Sequence, residues 1–311
     1  MKAVVFAYSN VGERCLRVLR ARGVDVALVV THRDHPGETL WFRRVADTAA
    51  ELRIPVVYSD DPNDPSLAAA VERIRPDLIF SFYYRAMIPG DLLAKAKAGA
   101  YNMHGSLLPK YRGRAPTNWA VLHGETETGA TLHEMVARPD AGDIVDQSSV
   151  PILPDDTGRD VFDKVTLAAE KVLWRSLPSI LAGQALRRPN DIAHGSYFGA
   201  RKPEDGRIDW SRPAAEVYNL IRAVAPPYPG AFAEIGSRRL VVAAARMASA
   251  GDISADATGR PGLHVIEGRI VGECGDRGRI DIRQLLCGCE VVDARSLATL
   301  LLEGQPSRSA P

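Results

Sequence analysis

AVVFAYSNVGERCLRVLRARGVDVALVV, residues 3–30, decides the fold class. Residues 3–8 are a continuous apolar run that ends at Ser9 and Asn10. Val11, Cys15, Leu16, Val18 and Leu19 then recur at helical spacing until Gly23 stops the helix, and residues 24–30 form a second apolar run. Strands that are apolar along their whole length are buried on both faces, and a strand–helix–strand order joins parallel neighbours. The expectation is an α/β protein with a Rossmann-like, mostly parallel sheet. The loop Tyr8-Ser9-Asn10-Val11-Gly12 lacks GxGxxG spacing, which argues against a dinucleotide site.

Outward from this unit, the pattern predicts a polar connection at 32–39, a helix over 40–52, a strand at 54–58, a helix at 66–74 and a buried strand at 78–82. A short strand near 99–103 follows, then a helix over 115–123, strands at 129–135 and 144–152, and a long helix from Thr157 to about Leu181 with Asp160 in its first turn. From Gly183 the character changes. Residues 187–206 read as a linker between a catalytic domain at 1–186 and a smaller domain at 207–304. That second part has a helix at 214–224 and short alternating runs at 231–235, 240–244, 262–271 and 280–286, the pattern of a small antiparallel, OB-like β-barrel. Residues 305–311 read as a disordered tail.

Lys+Arg 39 against Asp+Glu 38 gives a net charge of +1, so no global field favours a nucleic-acid or membrane partner. Cys15, Cys274, Cys287 and Cys289 are too sparse and uneven for a disulfide framework, and the Cys287/Cys289 pair lacks the further ligands of a metal site. With neither a signal peptide nor a membrane span legible in the chain, a cytoplasmic protein without membrane insertion is expected.

The chemistry centres on residues 100–116, AYNMHGSLLPKYRGRAP. Asn102 and His104, two apart on a strand, face one space at a strand end that opens into a Gly-, Pro- and Arg-rich loop. Asp140 lies in the exit loop of a later strand. A neutral imidazole can move a proton between nitrogens, a carboxylate beside it stabilises its cation, and an Asn NH₂ can donate to a developing oxyanion. Together they describe acyl transfer to nitrogen without a covalent enzyme intermediate. A lone His with a distant Asp is ordinarily structural; the NxH spacing and the loop after it favour catalysis.

NMHGSLLPKYRGRAP, followed by Gly124-Glu125-Thr126-Glu127-Thr128-Gly129 and Asp140-Ala141-Gly142-Asp143, resembles the folate-dependent formyltransferase family across nearly the whole chain. Phe80-Ser81-Phe82-Tyr83-Tyr84-Arg85 and Leu132-His133-Glu134-Met135 are most similar to the formyltransferase half of the bifunctional enzyme that makes 4-amino-4-deoxy-L-arabinose for lipid A. The resemblance implies N10-formyltetrahydrofolate as formyl donor and no metal. It implies His104 as proton-transfer residue, Asn102 as oxyanion stabiliser and Asp140 as the partner tuning His104. Ala86, Met87, Ile88, Arg114, Val136, Ala137, Arg138, Pro139 and Asp140 match the family's folate-binding positions; Arg112 and Arg114 are solvated charges in the plainer reading.

The acceptor implied is a nucleotide-linked amino sugar, first UDP-4-amino-4-deoxy-β-L-arabinose. Arg201, Lys202 and Arg222 could meet its pyrophosphate and Tyr228 its uracil. Methionyl-tRNA formyltransferase is the alternative, as is another amino sugar. The tRNA reading expects a basic insertion after the second strand, whereas 32–39 carries one Arg, one Asp and one Glu. A non-catalytic folate-binding module would leave Asn102, His104 and Asp140 together unexplained. The bifunctional relative continues into a dehydrogenase-decarboxylase, and here that activity could reside on a separate polypeptide. Oligomeric state is left open.

Overall fold

The computed structural model describes residues 1–34, 39–249 and 259–303. The expected tail at 305–311 and part of the 32–39 connection lie outside the described residues. The chain begins with alternating strands and helices: β1 Lys2–Ala7, α1 Ser9–Ala21, β2 Asp25–Thr31, α2 Val45–Glu51, β3 Val56–Tyr58, α3 Pro65–Ile74, β4 Leu78–Phe82, α4 Gly90–Leu93 and β5 Gly99–His104. It continues with β6 Arg112–Gly113, α5 Pro116–Leu122, β7 Glu127–Glu134, β8 Ile144–Pro151, α6 Gly158–Leu181 and β9 Tyr197–Phe198. The main sheet has the order β3-β2-β1-β4-β5-β7-β8. Its first five strands are parallel, as the apolar runs require, while β7 and β8 extend it antiparallel. Strand order reverses between β1 and β4, and binding crevices of open α/β sheets form beyond the carboxyl ends of strands at such a point.

Alternation within the parallel strands builds the core. Val4, Phe6, Leu28, Val30 and Ile79 cover one face and pack with Leu67 and Val71 of α3, Leu92 of α4, and Tyr84 and Ile88. Ala3, Val5, Ala7 and Val29 on the other face are equally inaccessible. The helix predicted over 40–52 forms only over Val45–Glu51. Thr157 and Asp160 cap α6 reciprocally: the Thr157 N–H donates to Asp160 Oδ2 at 2.9 Å and the Asp160 N–H to Thr157 Oγ1 at 3.2 Å.

The remaining elements are α7 Ala214–Val224, β10 Ala231–Ile235, β11 Arg238–Met247, β12 Gly262–Ile266, β13 Arg269–Glu273, β14 Arg279–Cys287, β15 Glu290–Val291 and α8 Ala294–Glu303. They form an antiparallel sheet of order β10-β11-β14-β13-β12, with β15 on β14. The single run expected at 262–271 is a hairpin. Glu267 and Gly268 both have positive φ, 51° and 74°, the conformation that a two-residue turn between twisted strands demands. Helix α8 was not foreseen, although Asp293 caps it by accepting from the Ser296 N–H at 2.7 Å and Leu297 and Leu300 are buried.

By contacts the chain forms two compact units. The first is 1–117, 127–151 and 162–200; the second is 118–126, 152–161 and 201–311. Within the first, residues after 186 are fastened down: Arg188 bridges Ile144, and β9 pairs with β6.

Candidate active site

Strand β5 carries Asn102 and His104, and β7 supplies what faces them. The antiparallel register sets Asn102 opposite His133 and His104 opposite Thr131, so all four share one face of the sheet. Beyond β7, residues 136–142 turn back so that the Glu134 N–H donates to the Asp143 carbonyl at 2.9 Å. A Cβ on Gly142 would lie 2.1 Å from the Glu134 oxygen, so only glycine fits this close approach. The turn places Asp140 beside the strand pair.

The hydrogens of the site follow from its acceptors. His104 Nε2 is 2.7 Å from the Tyr111 carbonyl, which can only accept, so Nε2 carries the hydrogen and Nδ1 is the basic nitrogen. Nδ1 is 3.5 Å from Asp140 Oδ1, and the imidazole is 6% exposed. His133 is oppositely arranged: Nδ1 donates to the Glu134 carbonyl at 2.8 Å, and Nε2 accepts from Asn102 Nδ2 at 3.0 Å. Asn102 Nδ2 also reaches Asp140 Oδ1 at 3.4 Å. Asp140 Oδ2 accepts from the Gly113 N–H at 2.9 Å. Burial pushes the Asp140 pKa upward. His104 and His133 in their cationic forms, together with the Gly113 N–H, outweigh it and hold the carboxyl well below the usual range, as a charged acceptor.

The loop between β5 and β6 is tied to the sheet. Thr131 Oγ1 donates to the Ser106 carbonyl at 2.6 Å and accepts from the Leu108 N–H at 3.1 Å and Gln147 Nε2 at 2.8 Å. Ser106 Oγ donates to the Lys110 carbonyl at 2.6 Å. These bonds fix the Tyr111 carbonyl and with it the His104 tautomer. Gly113 has φ 96°, and a Cβ there would sit 2.2 Å from the Phe198 oxygen, so glycine is required where the backbone meets Asp140.

Asn102, His104 and Asp140 therefore converge. His133 was missed as a site residue because its placement depends on a long-range antiparallel register; the polar Thr131 and His133 alternating with Ala130 and Leu132 were the available signal. Ala86, Met87 and Ile88 follow β4, and Val136, Ala137, Arg138 and Pro139 follow β7. Both segments are anchored in one core cluster, through Ala86 and Ile88 on one side and Met135 on the other, while Met87 and Val136 are exposed. His32 supports the first segment by accepting from the Arg85 N–H at 2.8 Å and stacking on Tyr84 at 4.2 Å. Burial lowers its pKa, against an opposing pull from Asp60. Arg114 is exposed, its N–H donating to the Phe198 carbonyl at 2.9 Å. Arg112, by contrast, is 6% exposed rather than solvated.

Arg201, Lys202, Arg222 and Tyr228 belong to the second unit. The Arg201 guanidinium lies 4.9 Å over Trp119 and donates to the Asp205 carbonyl at 2.8 Å. Lys202 donates its N–H to Asp205 Oδ2 at 2.7 Å. Arg222 is buried, donating to Asn219 Oδ1 at 3.0 Å and to the Asp156 carbonyl at 3.1 Å. Tyr228 follows α7, its N–H donating to the Ala225 carbonyl at 3.1 Å.

Among solved structures, the N-formyltransferase from Helicobacter canadensis in complex with folinic acid and dTDP-3-aminofucose matches with a TM-score of 0.70 at 21% identity, covering 91% of this chain and 98% of that one. WlaRD, a sugar 3N-formyl transferase determined with dTDP and 5-N-formyl-THF, matches with a TM-score of 0.67 at 20% identity over 93% of this chain and 98% of that one. HypX from Aquifex aeolicus in complex with tetrahydrofolic acid matches with a TM-score of 0.65 at 20% identity, covering 97% of this chain and 47% of that one. At these identities the likeness carries the fold. The formyl transferase family model matches residues 1–177, and the model of the family's C-terminal domain matches residues 201–300. With the sheet, the strand-end constellation and both family models in agreement, the chain belongs to the formyl transferase family and is a formyl transfer enzyme.

Proposed function

We propose that the enzyme moves a formyl group from N10-formyltetrahydrofolate to the amine of a nucleotide-linked amino sugar, with UDP-4-amino-4-deoxy-β-L-arabinose as the first acceptor to test. The observation that carries the reading is the poise of His104: Nε2 is held by the Tyr111 carbonyl while Nδ1 faces Asp140 at 3.5 Å. Such an imidazole takes a proton on Nδ1, and the ionised Asp140 stabilises the cation. The folate supplies a formyl carbon on N10. The segments around Ala86–Ile88 and Val136–Pro139 suit a pterin, offering backbone groups for its edge with exposed Met87 and Val136 beside them; Arg114 belongs to the same set.

The amine nitrogen bonds to the formyl carbon, and Asn102 donates an N–H to the oxygen as that carbon becomes tetrahedral. His104 takes the proton released from the amine on Nδ1. When the carbon–N10 bond breaks, His104 returns this proton to N10, leaving an N-formyl sugar, tetrahydrofolate and neutral imidazole. For the acceptor, Arg201, Lys202 and Arg222 are assigned to the pyrophosphate and Tyr228 to the base. A solved relative in complex with dTDP-3-aminofucose supports the sugar class. Residues 1–186 would be the catalytic domain, with 187–206 leading into the smaller one, and a dehydrogenase-decarboxylase on another polypeptide would supply the arabinose precursor.

The test is a formylation assay with N10-formyltetrahydrofolate and UDP-4-amino-4-deoxy-arabinose, a dTDP-4-amino hexose or initiator methionyl-tRNA. Turnover of a nucleotide sugar is expected. Turnover of the tRNA alone would overturn the reading.

A further inference from the structure

The catalytic scheme above gives no role to the most buried titratable side chain of the site. His133 is 2% exposed, and both ring nitrogens are engaged: Nδ1 with the Glu134 carbonyl at 2.8 Å, Nε2 with Asn102 Nδ2 at 3.0 Å. The first bond puts the hydrogen on Nδ1 and leaves a lone pair on Nε2, so the second must be a bond that Asn102 donates. A carboxamide has two N–H groups. One is given to His133; Asp140 Oδ1 lies 3.4 Å from the same nitrogen on that side, a long contact, and the other N–H, which diverges from the first, is left for a new acceptor.

We infer that His133 is a positioning residue that acts through Asn102: its Nε2 lone pair fixes one amide hydrogen and thereby aims the other at the oxygen that becomes negative during transfer. Without that acceptor the carboxamide is free to turn and present its carbonyl, a second negative end beside Asp140. Cross-strand pairing of residues 102 and 133 makes the contact a property of the β5–β7 register. The titratable surroundings of His133 are Asp140, 3.5 Å from Nε2, with His104 on the same carboxylate oxygen, and Glu134, which is paired with Arg187. Protonation of His133 would turn Nε2 from acceptor to donor. Asp140 would welcome that proton, but Asn102 would lose its partner.

The inference rests on the reading of Asn102 as an oxyanion donor, and the experiment separates the two. Using the full chain and whichever amine acceptor it turns over, kcat and KM are measured for His133→Leu, His133→Gln, Asn102→Ala and the Leu/Ala double variant. His133→Leu is expected to lower kcat about 10- to 100-fold with KM nearly unchanged, and His133→Gln, which offers an amide oxygen as acceptor, to recover part of the loss. The double variant should be no slower than Asn102→Ala. An Asn102→Ala enzyme as fast as the wild type would sink the donor reading and this inference with it. If Asn102→Ala is slow while His133→Leu is fast, or if their losses multiply, the donor reading stands and the role of His133 falls. Nitrogen-15 spectra of the unsubstituted enzyme at neutral pH give a readout independent of variant folding. They should show the hydrogen on Nδ1 of His133 and on Nε2 of His104; a hydrogen on Nε2 of His133 would overturn the inference.

Discussion

Asp140 joins the parts of the site that must agree. Its backbone is left-handed, with φ 48°, and its carboxylate meets His104, His133, Asn102 and the Gly113 N–H. Asparagine tolerates that backbone conformation and has nearly the same shape, so Asp140→Asn tests charge with little added strain. We expect the variant to fold and to lose at least about a hundredfold in kcat, because the His104 cation is left without its counter-charge. The acid behaviour follows from the same contacts. The folded carboxyl lies below its unfolded value, near 4, so the unfolded chain binds the proton more tightly. The stability contributed by Asp140 is therefore present above about pH 4 and lost as pH falls through the folded value. Denaturant titrations at pH 7 and pH 3 should show a smaller acid loss for Asp140→Asn than for the wild type; equal losses would contradict the assignment.

In the parallel half, β1, β2 and β4 were legible because they are apolar on both faces, and α1 and α3 because their apolar residues repeat at helical spacing, whereas the four-residue α4 is too short to carry a period. What the chain did not disclose were features made by distant pairing. The β5–β7 register that turns His133 toward Asn102 joins residues 31 positions apart. The β12–β13 hairpin hid inside one alternating run because Glu267, not a typical turn residue, takes a positive φ there. Asn102, His104 and Asp140 could be named from residue types and motif, but neither the tautomers nor the Thr131 anchorage could, since both depend on backbone carbonyls. Thr131 now gives a direct test of the loop. It is inaccessible and satisfies the Leu108 N–H, the Ser106 carbonyl and Gln147. Thr131→Val keeps the shape and strips those bonds. It should cost about 1–3 kcal/mol of stability by chemical denaturation and lower kcat as the Tyr111 carbonyl drifts. Unchanged stability would mean that the loop is held by other contacts.

The two compact units do not follow a single cut in the chain. Residues 118–126 and 152–161 precede the end of the sheet region yet belong with residues 201–311. Asn118 Nδ2 donates to the Ala223 carbonyl at 2.7 Å, and Tyr218 Oη donates to Asp155 at 2.8 Å. A Cβ on Gly158 would fall 2.4 Å from the Ala223 oxygen, so these segments pack without slack. A fragment ending at residue 200 would expose the buried Asn118 amide and the apolar side of α5. Its thermal midpoint is expected to fall by about 5 °C or more relative to the full chain. A fragment as stable as the full chain would show that residues 118–126 and 152–161 need nothing from the segment after residue 200.

The most direct measurement is a single-turnover reaction with donor labelled at the formyl carbon, an amino-sugar nucleotide as acceptor, and enzyme carrying His104→Ala or Asn102→Ala. The unsubstituted enzyme should place the label on the acceptor amine. Each variant should do so at least about a hundredfold more slowly while binding the donor normally. Transfer at close to the original rate by either variant would contradict the account.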